Sequence, residues 1–191
     1  MLFFWKKAVQ PKLVSEVALL MKKKKKVKMI YVYIGIVILL FGFIFVLNNS
    51  GKDNPLYGKP VSQLNPETRK QLDDPNYQNI ILPAELDKKV ADKEDFFVYL
   101  FASDCPHCRA TTPKLMPLAD ELGVDLPQFN LREFPSYFNK FKVEYTPTLA
   151  YYQDGVEVDR IEGGLAEQGT TGYSLDDFKA FFNKHSGAES S

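Results

Sequence analysis

Apolar and polar positions divide this chain into two stretches of different character. From Met29 to Leu47 the residues carry no charge, and only Tyr31 and Tyr33, near the start, are polar. At about 1.5 Å per residue the run spans roughly 28 Å as a helix, close to the thickness of a bilayer's hydrocarbon core. A soluble helix of that length normally carries a polar stripe, and aromatic rings at one end suit a membrane interface. Residues 29–47 are therefore expected to form a transmembrane signal-anchor.

Beyond it the period changes. Asn48 to Pro60 is rich in Asn, Gly, Lys and Pro and reads as a tether. Asn65-Pro66-Glu67 looks like an N-cap with Pro at the first helical position, opening a short helix to about Leu72. Residues 48–76 are thus tether and short helix. From residue 77 strand-like and helix-like runs alternate. Tyr77–Leu82 reads as a short strand and Pro83–Lys93 as an amphipathic helix. Phe96–Ala102 is a continuous apolar run of strand length, as a central strand covered on both faces requires. A helix to about Leu122 follows, interrupted by Pro113 and Pro117, then a strand at Gln128–Leu131 and a short helix at Pro135–Phe141. Thr148–Gln153 and Val156–Ile161 flank Asp154-Gly155, a hairpin turn signal. Ser174-x-x-Asp177 caps a last helix whose apolar face is Phe178, Phe181 and Phe182. The order β-α-β-α-β-α-β-β-α over residues 77–185 implies an α/β fold, a mixed central sheet with helices on both faces. Residues 186–191 read as a tail.

Charge adds orientation. The formal net charge is zero, yet residues 1–47 carry 9 Lys/Arg against 1 Asp/Glu, and residues 48–191 carry 15 against 23. The acidic globular part argues against nucleic acid as a partner. Lys22–Lys26 and Lys28 directly precede the apolar run, which places residues 1–28 in the cytoplasm and the domain outside it. The run ends in Val46-Leu47-Asn48-Asn49-Ser50-Gly51, without a small-x-small cleavage site, so an uncleaved anchor is expected. Met21, followed by five lysines and the run, already forms a complete signal-anchor and is the expected start.

Only two cysteines occur, in Cys105-Pro106-His107-Cys108. A bridge across two residues hardly constrains the unfolded chain, so a structural staple is the weaker reading. A metal site needs three or four ligands, and His107 and His185 are the only histidines, so none is expected. A redox pair fits the surroundings better. Cys105 follows a strand and opens a helix, whose unpaired N–H groups stabilise a thiolate. Cys108, one turn on, is placed to attack a mixed disulfide on Cys105. His107 can add positive charge or a hydrogen bond, which stabilises the reduced form and makes the pair more oxidising.

With this motif, Pro113, Thr146-Pro147-Thr148, Asp154-Gly155 and Gly163-Gly164, residues 77–185 resemble the thioredoxin family. The dipeptide Pro106-His107 resembles that of strongly oxidising, extracytoplasmic bacterial disulfide-forming proteins. Those carry a helical insertion for which the 42 residues from Cys105 to Pro147 leave no room. The resemblance implies a cis peptide before Pro147 facing the cysteines, with Thr146 and Pro147 binding the substrate chain. It also implies a buried acid where Tyr99 stands and a lysine where Gln128 stands. Asp104 and Glu144 are the nearest acids in sequence. Tyr145, Tyr151 and Tyr173 are candidates for a groove rim, with core packing the stronger expectation for Tyr151. The loop Ala166–Tyr173 is long enough to contact a partner.

The expected function is thiol–disulfide exchange on exported proteins, needing no cofactor, with Cys105, Cys108, His107 and Pro106 catalytic and Thr146 and Pro147 binding. Oxidation is slightly favoured over reduction by His107 and by an oxidising compartment. A separate redox partner must reset the pair. The alternatives are a non-catalytic accessory that holds an exported peptide, like the accessory proteins of bacteriocin export, and a copper or zinc carrier.

Overall fold

The computed structural model describes residues 29–46, 53–167 and 171–187. The chain divides into two compact units, Met1–Gly51 and Lys52–Ser191. In the first, the described part is a single helix, α1 (Met29–Val46), long and apolar enough to cross a membrane. Its large apolar side chains, from Met29 to Val46, are exposed on every side. The basic segment 1–28, the expected start at Met21 and the last residues of the tail lie outside the described residues.

The second unit begins earlier than the sequence pattern suggests. Strands β1 (Asp53–Asn54) and β2 (Lys59–Pro60) pair antiparallel, and a 3-10 turn at Val61–Gln63 leads to helix α2 (Pro66–Gln71). The stretch expected as a tether is thus folded from Asp53 onward. It is anchored by Tyr57, which is buried and accepts a hydrogen bond from Asn130 Nδ2 (3.0 Å). Lys59 adds an ion pair with Glu133 (2.6 Å). Asn65 caps α2, accepting the Glu67 N–H at 3.0 Å, with Pro66 at the first helical position.

Helices α3 (Pro83–Ala91), α4 (Pro106–Glu121), α5 (Ser136–Lys140) and α6 (Leu175–His185) surround a sheet of β3 (Phe96–Phe101), β4 (Gln128–Asn130), β5 (Thr148–Gln153) and β6 (Val156–Glu162). The order is β4-β3-β5-β6, with β4 parallel to β3 and the other neighbours antiparallel. This is the thioredoxin-like α/β fold. All six residues of β3 are buried, because the strand has a neighbour on each edge and helices on each face. Phe97, Tyr99 and Phe101 pack with Leu115 and Ala119 of α4 and with Phe178 and Phe182 of α6. Phe96, Val98 and Leu100 point the other way, into a cluster with Leu86 of α3, Phe129 and Phe141. The α6 cap is as the sequence indicates: Ser174 Oγ accepts the Asp177 N–H, and Asp177 accepts the Ser174 N–H.

Two elements differ from expectation. Pro75–Tyr77 is a 3-10 turn capped by Asp74, and Pro83 starts α3, so the strand expected at Tyr77–Leu82 shrinks to one parallel bridge, Ile80 to Gln128. Two backbone hydrogen bonds, Gln128 N–H to Asn79 O and Ile81 N–H to Gln128 O, still tie it to the outer edge of β4. Helix α4 runs unbroken through both Pro113 and Pro117. The β5–β6 hairpin turns at Asp154-Gly155, where φ of Gly155 is +74° and a Cβ would lie 2.3 Å from the Val90 carbonyl oxygen. Only glycine satisfies both conditions.

Candidate redox site

The site forms where β3 ends and α4 begins. Cys105 is the N-cap of α4, and Pro106 occupies the first helical position, where a missing N–H costs nothing. Both cysteines are free thiols. The Cys105 sulfur accepts the Cys108 N–H at 3.4 Å, and its thiol donates to the Thr146 carbonyl at 3.3 Å. A hydrogen bond from the Cys108 side chain is the largest influence on Cys105. The Thr146 side chain and the N–H groups of Cys108 and His107 act in the same direction. Partial burial opposes them, and the result holds Cys105 at about 5. Cys108 is fully buried. Burial first, and its bond to Cys105 second, push its thiol far above the ordinary range. The two sulfurs therefore differ in kind, an accessible thiolate beside an enclosed thiol.

His107 acts on Cys105 through its backbone N–H, while its side chain is exposed. The Thr146–Pro147 peptide is cis, and Pro147 is buried. Its carbonyl accepts the Gly163 N–H at 2.8 Å, which joins this loop to the end of β6. The next residues rest on α4. Leu165 N–H donates to Thr111 Oγ1 at 2.9 Å, and a Cβ at Gly164 would lie 2.6 Å from that oxygen and 3.3 Å from the His107 carbonyl. Three segments thus converge around Cys105: the start of α4, the Thr146–Pro147 turn and the Gly163–Leu165 stretch. Tyr145 stands at the edge, 67% exposed. Tyr151 is buried, stacked on His185 at 4.3 Å, and Tyr173 packs edge-on to Phe178 at 6.0 Å. Of the three rim tyrosines, Tyr145 is exposed, Tyr173 half-buried and Tyr151 buried. Of the loop Ala166–Tyr173, residues 168–170 lie outside the described residues.

Behind Cys108 the walls are neutral. Tyr99, fully buried, lies 3.2 Å from Thr112 Oγ1, which donates to the Cys108 carbonyl at 2.7 Å. Gln128, opposite Tyr99 on β4, donates through Nε2 to the Asn76 carbonyl at 2.7 Å. Neither nearby acid reaches into this space. Asp104 pairs with Arg132 at 3.1 Å on the surface, and Glu144 is exposed, its N–H donating to Glu162.

A further support is not visible in the motif. Thr68 Oγ1 donates to Ser103 Oγ at 2.8 Å, and Gln71 Nε2 donates to the Ser103 carbonyl at 3.1 Å, two residues before Cys105. Asn130 Nδ2 donates to Thr68 Oγ1 at 3.3 Å, and Glu67 pairs with Arg109 of α4 at 3.5 Å. Helix α2 thereby grips the loop that presents the nucleophile. No spacing in the sequence announces these contacts, because Thr68 and Gln71 lie more than 30 residues from Ser103. Among the described residues no group of three or more His, Cys, Asp or Glu side chains is placed to hold a metal ion.

Residues 78–171 match the family model for thioredoxin. Over these residues, just under half of the chain, it is similar to the thioredoxin family. Among its relatives is Thioredoxin Y1, chloroplastic, of Arabidopsis thaliana, 30% identical over 81 residues that cover 41% of this chain and 47% of that protein. The Probable protein disulfide-isomerase A6 of Medicago sativa is 27% identical over 118 residues, 59% of this chain and 30% of that protein. Among solved structures, Fasciola hepatica thioredoxin is 26% identical, with 53% of this chain and 92% of that chain covered and a TM-score of 0.44. The chain spans less than half the length of both curated relatives.

Proposed function

We propose that this chain is a membrane-anchored thiol–disulfide oxidoreductase that acts on exported proteins outside the cytoplasm. In this reading Cys105 is the nucleophile and Cys108 the resolving thiol. Pro106 and His107 shape the first turn, while Thr146 and Pro147 present the backbone against which an extended substrate segment lies. The observation that carries the reading is the pairing of a half-exposed Cys105, held at about 5, with a fully buried Cys108. At neutral pH such a pair has one attacking sulfur and one reserved for the second step. Helix α1 anchors the domain, and the lysines before it set the amino terminus inside.

The direction favoured is oxidation. A thiolate held at about 5 stabilises the reduced form of the pair, so the disulfide form gives up its bond readily to substrate thiols. No second cysteine pair exists in the sequence, so another protein or a small thiol resets Cys105–Cys108. The test is oxidation of a reduced, cysteine-containing exported substrate by the full-length chain in detergent. The expected result is disulfide formation by the wild-type protein and none by Cys105→Ser. A Cys105→Ser chain that fully sustains its biological role would instead favour the accessory reading, in which the surface around Tyr145 and Thr146 only holds a peptide.

A further inference from the structure

Residues 141–145 form no helix or strand, yet they lead directly into the Thr146–Pro147 turn. A backbone outside helix and sheet still needs partners for its polar groups. Here the side chains of β6 supply them. Arg160 donates to the carbonyls of Phe141 (2.9 Å) and Lys142 (3.2 Å). A single carboxylate oxygen of Glu162 accepts two successive N–H groups, Glu144 at 3.0 Å and Tyr145 at 3.3 Å. The Tyr145 carbonyl accepts from Thr148 Oγ1 at 2.7 Å.

Strand geometry explains why both side chains reach the same segment. Arg160 and Glu162 lie two residues apart on β6 and share a face, while Ile161 between them is buried in the core. The β5–β6 register shifts between Tyr151 and Tyr152, which turns Glu157 to that face as well. Glu157 accepts from Nε and Nη2 of Arg160 at 2.5 and 2.8 Å, and Glu162 lies 3.6 Å from Nη1. A planar guanidinium held at both edges serves two carbonyls at once, which a lysine cannot do.

Resting on the exchange reading above, we infer that Glu162 and Arg160 are positioning residues for an extended, cysteine-bearing peptide substrate, because they engage the backbone that approaches Thr146 and leave the Thr146 N–H as its free donor. The amides of Phe141, Lys142 and Val143 donate to carbonyls of Tyr137, Asn139 and Phe138. Those of Glu144 and Tyr145 are taken by Glu162, and Pro147 has none. Among the described residues the Thr146 N–H has no partner. The Thr146 carbonyl lies 3.3 Å from the Cys105 sulfur, so a chain that pairs with this donor is aligned with the nucleophile. Without Glu162, three consecutive donors from Glu144 to Thr146 would compete for the same chain, and the segment would lose its anchor.

The experiment compares two reagents on the reduced full-length chain in detergent. The first is a short extended peptide whose one cysteine carries thionitrobenzoate as a mixed disulfide. The Cys105 thiolate attacks the peptide sulfur, a Cys105–peptide disulfide forms, and thionitrobenzoate leaves as a thiolate read by its absorbance. The second is iodoacetamide, too small to pair with the Thr146 backbone. Glu162→Ala should slow the peptide reaction about tenfold, the scale of one lost charge-assisted hydrogen bond. It should leave the alkylation rate of Cys105 and its pH midpoint where they are. Glu162→Gln, which keeps an accepting oxygen, should restore the peptide rate. Glu162→Asp, too short to reach both N–H groups, should behave as Glu162→Ala does and carries the test if the alanine variant does not fold. A wild-type peptide rate in Glu162→Ala or Glu162→Asp, no recovery in Glu162→Gln, or an equal loss with both reagents would overturn the inference. A wild-type chain that is alkylated by iodoacetamide but releases no thionitrobenzoate would overturn the exchange reading, and the inference with it.

Discussion

At Cys105, hydrogen bonds outweigh burial. The Cys108 side chain, the Thr146 side chain and two N–H groups at the start of α4 all favour the thiolate, and partial burial alone opposes it. The alkylation rate of Cys105 in the reduced protein should therefore rise with a midpoint near pH 5 and be nearly flat from pH 6 to 8. Peptide mapping after iodoacetamide pulses measures it, and a midpoint at the ordinary thiol value of about 8.5 would refute the assignment. The sign for stability follows from the same shift. A lowered pKa in the folded state adds stability that is fully present above the unfolded value and is lost as pH falls towards 5. Reduced wild-type protein should thus lose stability relative to Cys105→Ser on acidification from pH 8 to pH 5, as urea melts at both pH values would reveal. Cys108→Ser should leave the first attack intact and trap a permanent mixed disulfide.

At the scale of elements, the site depends on two contacts outside the Cys-x-x-Cys helix. Gln71→Ala strips the Ser103 carbonyl of its partner inside the protein, and a buried acceptor left unpaired costs about 1–3 kcal/mol. Denaturant melts should report that loss, and the alkylation midpoint of Cys105 should move with it if α2 positions the loop. Gly164→Val drives a side chain into Thr111 and the His107 carbonyl. It should slow exchange with protein substrates while leaving small-molecule alkylation of Cys105 nearly unchanged. The sequence made some elements legible and hid others, for physical reasons. Phe96–Phe101 could be read because a strand buried on both faces must be apolar throughout, and α6 because its cap and its phenylalanines have helical spacing. The cysteine motif was legible because its chemistry is local. The fold of Asp53–Pro60 and the docking of α2 were not, because they are held by single long-range contacts, Tyr57 to Asn130, Thr68 to Ser103 and Lys59 to Glu133, each between residues ordinary in loops. The expected first strand failed for a related reason. Pairing on one edge supports a single bridge at Ile80, and Pro75 and Pro83 leave little room for more.

For the molecule as a whole, the proposal joins an apolar helix to an acidic redox domain. The full chain should remain with membranes through alkaline carbonate extraction, and protease added outside the cell should remove the domain, whereas protection from protease would place the domain inside. The equilibrium reduction potential of Cys105–Cys108 in the full-length chain, measured against glutathione by alkylation, tests the central claim most directly. A disulfide donor predicts a value between about −120 and −180 mV, the range of strong oxidants and isomerases. A value at or below about −250 mV would contradict it and make the protein a reductant that needs an electron source across the membrane.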